Sequence, residues 1–321
     1  MTAGLGALVL ASGEGRRLRP LTAEVPKPLL PVLGETLLDR TLDKVAATGP
    51  QRIVVGLHYR AELVIDHLAS SRHTAEARVE ETLTGPAGAV RLYGADPDLR
   101  ALLVVSGDLL FDDDLGGLVE HHLAVGAAMT FATRRVRRAS RFGVLDVGAD
   151  GRVTGAREKP SVPDDEEYLV SAGIYCLSPS AVDVIPPDTT FDFAAHLAPH
   201  LVQRGAPVHT FSLHGYWSDV GTPEALRAAN LDALQDMLTS RKDGGHTIRT
   251  DEGLTWVSEQ AAVGADVTFR GYNALVGPVS VGDGATVTDS VLIGHGSVPA
   301  RSALSGALAW SPEPRRGGGA R

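Results

Sequence analysis

The stretch Ala7-Leu-Val-Leu-Ala-Ser-Gly-Glu-Gly-Arg-Arg-Leu-Arg-Pro-Leu-Thr22 joins an apolar run to a glycine-rich, basic loop, and Val25-Pro-Lys-Pro-Leu-Leu-Pro-Val32 follows it. The apolar run predicts a buried strand and the loop a phosphate-binding turn. The loop is not a dinucleotide fingerprint, because Leu18 stands at the third glycine position, and no Gly-Lys-Ser/Thr follows to make a P-loop. Arg17 and Lys27 would supply the fixed positive charge that a triphosphate needs. Composition alone is equally consistent with a basic surface loop.

Short apolar runs alternate with amphipathic segments through the first two-thirds of the chain. Arg52–Gly56 and Leu102–Ser106 are further candidate strands, whereas Leu37–Ala47 and Ala61–Ser70 carry apolar residues at helical spacing. This alternation predicts an α/β fold with a Rossmann-like, mostly parallel sheet. Ligands of such sheets bind beyond the carboxyl ends of the strands, so the loops after Ala11 and Ser106 are expected at the site.

The last quarter of the chain has a six-residue period. Apolar residues recur at every sixth position, at Val257, Val263, Phe269, Leu275, Val281, Val287 and Ile293. One inward aliphatic side chain per six residues is the pattern of a hexapeptide β-helix. The run is long enough for two to three coils, so we expect it to pack on the first domain or on another subunit.

Charge and cysteine usage exclude several classes of protein. The formal net charge of −9 and the sequence pI of about 5.6 argue against a dedicated nucleic-acid binder, and Arg134–Arg138 is predicted to be a solvated run. The single cysteine, Cys176, lies in an apolar run and is predicted to be a buried thiol. We expect no membrane span and no signal peptide, and hence a cytoplasmic protein.

Two aspartates follow predicted strands and are candidate ligands for magnesium. Asp108 ends Val104-Val-Ser-Gly-Asp108, and Asp219 lies in Tyr216-Trp-Ser-Asp-Val-Gly-Thr-Pro-Glu224. Magnesium bound to a nucleotide takes one or two protein carboxylates together with phosphate oxygens and waters. Either aspartate alone is equally readable as a turn or cap residue. The denser run Asp112–Asp114 is predicted to cap the following helix.

The two N-terminal motifs together resemble the signature of the sugar-nucleotide pyrophosphorylases, the sugar-1-phosphate nucleotidyltransferase family, whose usual form is L-A-G-G-x-G-T-R-L-R-P-L-T…P-K-P. Ser12 replaces a glycine, and Arg16 stands where threonine is common, so the catalytic arginine of the family corresponds to Arg17. Arg16 itself either adds a phosphate contact or points to solvent. The closest resemblance is to members like mannose-1-phosphate guanylyltransferase.

The resemblance implies a role for each matching residue. Asp108 and Asp219 would hold Mg²⁺, and Arg17 and Lys27 would be catalytic. The nucleotide would contact Leu10, Ala11, Gly13, Gly15, Glu81, Gly85, Ala87 and Gly88. The sugar phosphate would contact Gly143, Glu158, Lys159 and Ser171, in motifs that match in order. Ser171 stands where guanylyltransferase-type members often have asparagine, which leaves the sugar open. Without the resemblance, Glu158-Lys159 is a charged turn.

Glu81 bears on the choice of base. Glu81-Thr-Leu-Thr-Gly-Pro-Ala-Gly-Ala-Val90 resembles the segment E-x-x-L-G-T-A-G-A-L of guanylyltransferases and their heptose relatives, with Pro86 in place of threonine. A carboxylate accepts hydrogen bonds, and guanine presents N1–H and N2–H as adjacent donors, whereas an amide matches uracil or thymine better. The sequence therefore favours GTP.

The resemblance, the six-residue period and the composition of the connecting and terminal segments together predict domains at 1–235 (catalytic), 236–253 (linker), 254–306 (left-handed hexapeptide β-helix) and 307–321 (disordered tail). The expected reaction is in-line attack of a sugar 1-phosphate on the α-phosphorus of the nucleotide, with release of pyrophosphate. Mannose 1-phosphate, a heptose phosphate and a cyclitol phosphate all fit as acceptors. The alternatives are a glucose-1-phosphate thymidylyl- or uridylyltransferase, a non-catalytic sensor of nucleotide sugars, and an acyltransferase role for the hexapeptide segment. Nucleic acid and membrane are not expected partners; a homo-oligomer formed through the β-helix is.

Overall fold

The computed structural model describes residues 4–235 and 244–312. The strands of the first range are β1 Leu5–Ala11, β2 Pro31–Val32, β3 Glu35–Thr36, β4 Arg52–Leu57, β5 Glu76–Val79, β6 Ala101–Ser106, β7 Leu109–Phe111, β8 Met129–Val136, β9 Gly143–Val147, β10 Val153–Glu158, β11 Tyr168–Leu177, β12 Val208–Ser212 and β13 Trp217–Asp219. Its helices are α1 Leu21–Glu24, α2 Leu37–Ala47, α3 Ala61–Ala69, α4 Gly85–Gly88, α5 Gly116–Val125, α6 Pro179–Asp183, α7 Ala198–Gln203 and α8 Pro223–Leu234.

The second range contains strands. They are β14 Gly245–Thr250, β15 Gly253–Ser258, β16 Ala262–Val263, β17 Thr268–Val276, β18 Ser280–Val281, β19 Thr286–Thr288, β20 Val291–Gly294, β21 Ser297–Val298, β22 Ala303–Ser305 and β23 Leu308–Ser311.

The chain divides into two compact units that differ from the predicted contiguous domains. The first unit holds the residues up to Gly13 together with Asp39–Leu109 and Asp113–Trp217. The second holds Glu14–Leu38, Leu110–Asp112 and the described residues from Ser218 onward. Residues 1–235, predicted to be one domain, are therefore shared between both units, and the glycine-rich loop is divided after Gly13.

The first unit is built on a mixed sheet with the strand order β10-β9-β11-β6-β1-β4-β5, and β8 lies between β11 and β12. Strands β6, β1, β4 and β5 run parallel, whereas β11 runs antiparallel to β6, β8 and β9. The predicted α/β class is confirmed, with antiparallel strands beside the parallel part. The predicted helices at 37–47 and 61–70 correspond to α2 and α3.

Parallel pairing brings the predicted ligand loops to one edge of this sheet. Leu10 is in register with Ser106, and Ala11 with Leu57, so the loops after β1, β4 and β6 leave the same end. The amide of Gly107 donates to the Leu10 carbonyl at 2.8 Å. The apolar core includes Leu8, Val54, Leu102, Phe131 and Tyr175.

The strands of the second unit from β15 onward pair in parallel with the coil that follows. Gly253 is in register with Gly271, and Thr268 with Thr286, which is an 18-residue repeat of three hexapeptides. Ser280 is in register with Ser297, so the next coil is one residue shorter. This repeat is consistent with the predicted β-helix.

The shorter coil changes which side chains face the interior. The predicted inward residues Val257, Leu275, Val281 and Val287 belong to the core of the β-helix, and Phe269 packs against it. In the register of the 17-residue coil Leu292 pairs with Leu275, so Leu292 replaces Ile293 in this core. Val263 is 38% exposed and lies in β16, the end strand of the three-stranded sheet β16-β18-β21.

The ends of the β-helix also differ from the prediction. Residues 245–250, inside the predicted linker 236–253, form β14, which pairs antiparallel with β15; residues 236–243 lie outside the described residues. Leu308–Ser311, inside the predicted disordered tail 307–321, form β23 on β20, and residues 313–321 lie outside the described residues. Both strands satisfy backbone hydrogen bonds of a neighbouring coil, which a six-residue apolar period does not reveal.

Helix α8 covers one side of the β-helix within the second unit. It contacts β15, β17, β20 and β23, and the Arg227 guanidinium donates to the Asp289 carbonyl, with Nε at 3.0 Å. Thr222 caps the helix and Pro223 occupies its first turn. The β-helix thus packs on a helix from the segment 1–235.

Two further expectations can be compared with the described residues. Cys176 is buried in β11, and burial raises the pKa of its thiol. No helix in residues 4–235 or 244–312 combines the length and the apolar character that a membrane crossing requires.

Candidate active site

A cavity of about 290 Å³ lies in the first unit, at the carboxyl ends of β1 and β6. Its wall combines the glycine-rich loop, the loop after β5 and the loop after β6, and its lining residues are Leu10, Ser12, Gly13, Glu80, Leu83, Gly85, Pro86, Ala89, Ser106 and Asp108. A Cβ atom on Gly13 would meet no atom within 4 Å, so its backbone faces open space. Of the predicted nucleotide and metal residues, Leu10, Gly13, Gly85 and Asp108 thus share one cavity.

The two neighbouring glutamates of the loop after β5 have different surroundings. Glu80 is 6% exposed and lines the 290 Å³ cavity, where its Oε1 accepts hydrogen bonds from the amide (2.7 Å) and the hydroxyl of Thr84. Glu81, the predicted base-reading residue, is exposed and lines a separate cavity of about 530 Å³. Glu80 borders both cavities. Of the two glutamates, Glu80 is therefore the one that lines the same cavity as the glycine-rich loop.

Helix α4 is held by the chain around Phe191. The amides of Ala87 and Gly88 donate to the Phe191 carbonyl at 3.0 and 3.2 Å, and the Phe191 amide donates to the Thr84 carbonyl at 2.8 Å. Gly85 has a φ of +77°, and a Cβ atom there would lie 2.6 Å from the Phe191 carbonyl oxygen. Glycine is required here by both backbone conformation and space. Ala87 and Gly88 are buried and support the loop.

The cavity carries polar oxygen atoms suited to a hard cation and a polar ligand. Asp108 and Ser106 both line it. Ser12 Oγ is buried and has no hydrogen-bond partner among the described residues. No group of three or more His, Cys, Asp or Glu side chains in the part of the chain that the structure describes could hold a metal ion unaided. Oxygen ligands in small number fit Mg²⁺, which keeps waters and substrate phosphates in its coordination shell.

Three of the four predicted sugar-phosphate residues meet beside β9 and β11. A Cβ atom on Gly143 would lie 3.1 Å from Glu158 Oε2 and 3.7 Å from the Ser171 Cβ, so these residues are neighbours. Lys159 adopts a φ of +45°, and its Nζ lies 3.0 Å from Glu158 Oε1. The Lys159 side chain is 65% exposed, which leaves its ammonium accessible to an anion. We call Gly143, Glu158, Lys159 and Ser171 the acceptor cluster.

Aromatic side chains pack beside the acceptor cluster. The Ser171 hydroxyl donates to the Tyr175 hydroxyl at 3.1 Å, and the Tyr175 ring stacks on Phe193 with centroids 3.8 Å apart. Burial raises the pKa of Tyr175, so its hydroxyl stays protonated. Trp217 Nε1 donates to the Ala172 carbonyl at 3.0 Å, and its ring lies 5.4 Å from that of Phe142.

The predicted catalytic cations meet an aspartate within the second unit. Lys27 is 6% exposed, and its Nζ lies 3.4 Å from Asp219 Oδ1; Arg17 Nη2 lies 3.8 Å from Asp219 Oδ2. A Cβ atom on Gly221 would lie 2.8 Å from Arg17 Nη2, so glycine leaves room for the guanidinium. Two cationic side chains thus lie close to the Asp219 carboxylate.

Local turns hold Arg17 and Lys27 in place. Gly15 has a φ of +62°, and its carbonyl accepts from the Thr22 hydroxyl and the Leu18 amide, both at 2.9 Å. A 3-10 turn over Lys27–Leu29 follows the extended Pro26, as expected for a lysine between prolines. Arg16 is exposed and pairs with Glu14 through two hydrogen bonds of 2.7 and 3.0 Å. The exposed Arg16 side chain agrees with the second alternative left open for it, that it points to solvent.

Two predicted surface features have structural contacts. Arg134, in the run predicted to be solvated, is half-buried and donates to the carbonyls of Leu213 and Gly215 at 3.0 and 2.8 Å; Arg135 is exposed. In the run predicted to cap α5, Asp114 accepts from the Gly116 amide at 2.9 Å. Asp113 instead accepts from the amides of His214 and Gly215. Sequence alone could not assign the partners of Arg134 and Asp113, because they lie far away along the chain.

Sequence reasoning missed Glu80, Ser106, Phe142 and Trp217. A partial signal existed for Glu80: neighbouring residues of an extended chain point to opposite sides, so Glu80 and Glu81 were expected to have different surroundings. Which one lines the cavity beside the glycine-rich loop depends on strand pairing, and the Glu80 amide donates to the Leu57 carbonyl of β4 at 2.8 Å. Phe142 and Trp217 belong to motifs that the sequence singled out, but their contact with each other is tertiary.

A family model described as nucleotidyl transferase matches residues 6–236 of the chain. A mannose-1-phosphate guanylyltransferase of Mycobacterium tuberculosis is 28% identical over 301 residues, which cover 91% of this chain and 82% of the relative. A glucose-1-phosphate adenylyltransferase of Nitrosospira multiformis is 35% identical over 271 residues. That alignment covers 71% of this chain and 63% of the adenylyltransferase.

Among solved structures, the crystal structure of HddC from Yersinia pseudotuberculosis is similar to this chain with a TM-score of 0.60 and 25% sequence identity. The match covers 70% of this chain and 97% of HddC. The similarity therefore spans nearly the whole of the other chain and leaves about a third of this one unmatched.

Proposed function

Because this chain belongs to the nucleotidyl transferase family, we propose that it is a sugar-1-phosphate nucleotidyltransferase that uses GTP. The observation that carries the proposal is the cavity that Gly13, Glu80 and Asp108 line together. A nucleoside triphosphate needs backbone donors for phosphates, a polar group for the base and an oxygen ligand for its metal ion. The relatives named above use different nucleotides, so the base is argued from this cavity.

The base preference rests on Glu80. Its buried carboxylate accepts two hydrogen bonds at Oε1 from Thr84, which fixes the group at the cavity wall. A carboxylate accepts but does not donate, and guanine offers two adjacent donors on one edge. Glu80 thus takes the role that the sequence assigned to Glu81. Leu10, Ala11, Gly15, Gly85, Ala87 and Gly88 are proposed to shape the nucleotide site.

In the proposed reaction, an oxygen of the sugar 1-phosphate attacks the α-phosphorus of GTP. The new P–O bond forms as the bond between the α-phosphorus and the bridging oxygen breaks, and the electron pair leaves with pyrophosphate. The acceptor oxygen is already anionic at neutral pH, so no general base is needed. Lys27 and Arg17 would neutralise charge on the phosphates, and Lys159 would hold the acceptor phosphate, with Glu158, Ser171 and the Gly143 backbone contacting the sugar.

Asp108 and Asp219 are the proposed ligands of Mg²⁺, which would supply Lewis-acid charge neutralisation on the nucleotide phosphates. Both lie beside a strand end and offer carboxylate oxygens. Asp108 and Ser106 bring oxygen atoms to the cavity lining, and the described residues form no complete protein cage, which suits a metal that arrives with its nucleotide.

The test is pyrophosphate release in Mg²⁺ with GTP, dTTP, UTP, ATP or CTP, each combined with mannose 1-phosphate, glucose 1-phosphate, a heptose 1-phosphate or a cyclitol phosphate. Release with GTP is expected, and Lys27→Met should lower kcat by about 100-fold or more, because it removes a buried charge near the phosphates. Release with another nucleotide would keep the enzyme class and overturn the base. Silence with every pair would favour the non-catalytic sensor.

Two properties of the whole protein are also proposed. A cytoplasmic location remains our proposal. A homo-oligomer formed through the β-helix remains our proposal, and light scattering of the full chain against a variant ending at residue 235 would test it. A mass equal to one chain would overturn it.

A further inference from the structure

The turn Leu213–Gly215, between β12 and β13, is held from both sides by two charged side chains. The amides of His214 and Gly215 donate to Asp113 Oδ1 at 2.7 and 2.9 Å, and the Gly215 amide also lies 3.0 Å from Asp113 Oδ2. The carbonyls of Leu213 and Gly215 accept from Arg134 Nη1 at 3.0 and 2.8 Å. We call these two side chains and their bonds the Asp113–Arg134 clamp.

The clamp has features of a specific fit. A Cβ atom on Gly215 would lie 2.9 Å from Asp113 Oδ2 and 3.2 Å from the Asp113 amide, so this position accepts only glycine without movement. Hydrogen bonds to ionised groups are stronger than neutral ones, and two amides and two carbonyls of one short turn are bonded in this way. Asp113 precedes α5 and Arg134 lies in β8, so elements remote in sequence converge on the turn.

The turn leads directly to Trp217, which borders the acceptor cluster. The Trp217 indole donates to the Ala172 carbonyl, and Ala172 follows Ser171. The Trp217 ring lies against Phe142, which precedes Gly143. Both neighbours of Trp217 are therefore adjacent in sequence to members of the acceptor cluster.

We propose that Asp113 and Arg134 are positioning residues for the acceptor site: by fixing the turn 213–215, they hold Trp217 against Phe142 and Ala172 and so preform the site for the sugar phosphate. This inference rests on the proposed function. The two side chains act through the turn and Trp217; the Arg134 backbone also pairs with Val170, which precedes Ser171, and the substitutions below leave this strand pairing in place. Movement of Trp217 would displace the backbone on both sides of the site, with the largest effect on binding of the acceptor.

The experiment measures steady-state kinetics of Asp113→Ala and Arg134→Ala in the full-length protein, with Asp113→Asn and Arg134→Lys as conservative variants. Arg135→Ala is the matched control, because Arg135 is the exposed neighbour of Arg134 on the same strand. We expect the KM for the sugar phosphate to rise about 10-fold in both alanine variants, because small displacements of a binding site have large kinetic effects. The KM for the nucleotide and kcat should change less than 2-fold. Asp113→Asn, which keeps one acceptor oxygen, should recover part of the loss.

A second readout separates positioning from general destabilisation. Amide hydrogen exchange of the peptide covering 213–217 should accelerate in both alanine variants and not in Arg135→Ala. Unchanged KM for the sugar phosphate, or an equal rise in both KM values, would overturn the clamp's role. A wild-type protein that is inactive with every substrate pair would instead refute the proposed function; calorimetric binding of the sugar phosphates would then decide the clamp, and no difference between wild type and Asp113→Ala would overturn it.

Discussion

Glu80 and Glu81 are chemically identical neighbours with different environments. Glu80 is buried beside the glycine-rich loop, whereas Glu81 is exposed and borders another cavity. Glu80→Gln should lower kcat/KM for GTP by about 10-fold or more, because an amide presents a donor to the guanine donors, and the relative preference for UTP or dTTP should rise. Glu81→Gln is the matched control and should change the ratio of kcat/KM for GTP to kcat/KM for UTP or dTTP by less than 2-fold. The measurement is kcat/KM for each nucleotide at a fixed sugar phosphate concentration.

A larger effect from Glu81→Gln than from Glu80→Gln would contradict this assignment. It would return the base-reading role to the exposed residue. Thermal unfolding of both variants provides the necessary control, because Glu80 also anchors Thr84 and its replacement could loosen the loop.

At the scale of single elements, two valines occupy equivalent positions in successive coils of the β-helix. Val263 and Val281 are in register, yet Val263 is 38% exposed and Val281 only 2%. Val281→Ala should lower the free energy of unfolding by about 2 kcal/mol, because it removes buried methyl groups from a packed core. Val263→Ala should stay within about 0.5 kcal/mol of the wild type. Denaturant unfolding followed by circular dichroism measures both.

Equal losses for the two valines would show that Val263 is covered in solution, for example by another subunit. That result would support oligomerisation through this face. Repeating the measurement at several protein concentrations would show whether another subunit covers Val263, because stability gained by association depends on concentration.

Polar side chains accompany the change from an 18-residue to a 17-residue coil. Thr255, Asn273 and Ser290 are buried at one corner, where Asn273 Nδ2 donates to the Thr255 hydroxyl at 3.2 Å and the Ser290 amide donates to Asn273 Oδ1 at 3.0 Å. These bonds satisfy backbone and side-chain groups where the repeat is irregular. The six-residue apolar period does not reveal these polar bonds. The loss of one residue from the 17-residue coil was therefore visible only in the pairing of the strands.

At the scale of the whole molecule, stability is expected to depend on pH through buried histidines. His122 is 2% exposed and its Nδ1 lies 2.9 Å from the Thr130 hydroxyl. Burial, with smaller contributions from His121 and His209, lowers the pKa of His122 from 6.5 to about 4. The unfolded chain therefore binds a proton more readily, and stability is full above pH 6.5 and lost as the pH falls towards 4, by about 3 kcal/mol at most from this group.

Thermal unfolding between pH 4 and pH 8 measures this dependence. The melting temperature should be nearly constant above pH 7 and fall below pH 6.5. His122→Gln should flatten the profile, whereas His246→Gln, at an exposed histidine, should not. A profile that is identical in all three proteins would show that other groups control the acid lability.

Much of this protein follows from local sequence. The bounds of α2 and α3, the strands that precede the glycine-rich loop and Asp108, and the hexapeptide character of the C-terminal region were all predictable, because apolar periodicity and turn stereochemistry depend on neighbouring residues. The roles of Lys27, Arg17 and Asp219 were predicted through a resemblance between motifs, whereas their approach to one another is seen only in the structure.

Other features arise only when distant segments pair. Strand register decides that Glu80 lines the cavity and that Leu292, and not Ile293, belongs to the core of the β-helix. Contacts between remote parts of the chain form the strands β14 and β23 and the Asp113–Arg134 clamp. A shift of one residue in a strand reverses the direction of every side chain, and a local pattern does not encode that shift. The sequence therefore determined which types of residue form the site and the core. Only the tertiary structure decided which of two adjacent, chemically similar residues takes each position.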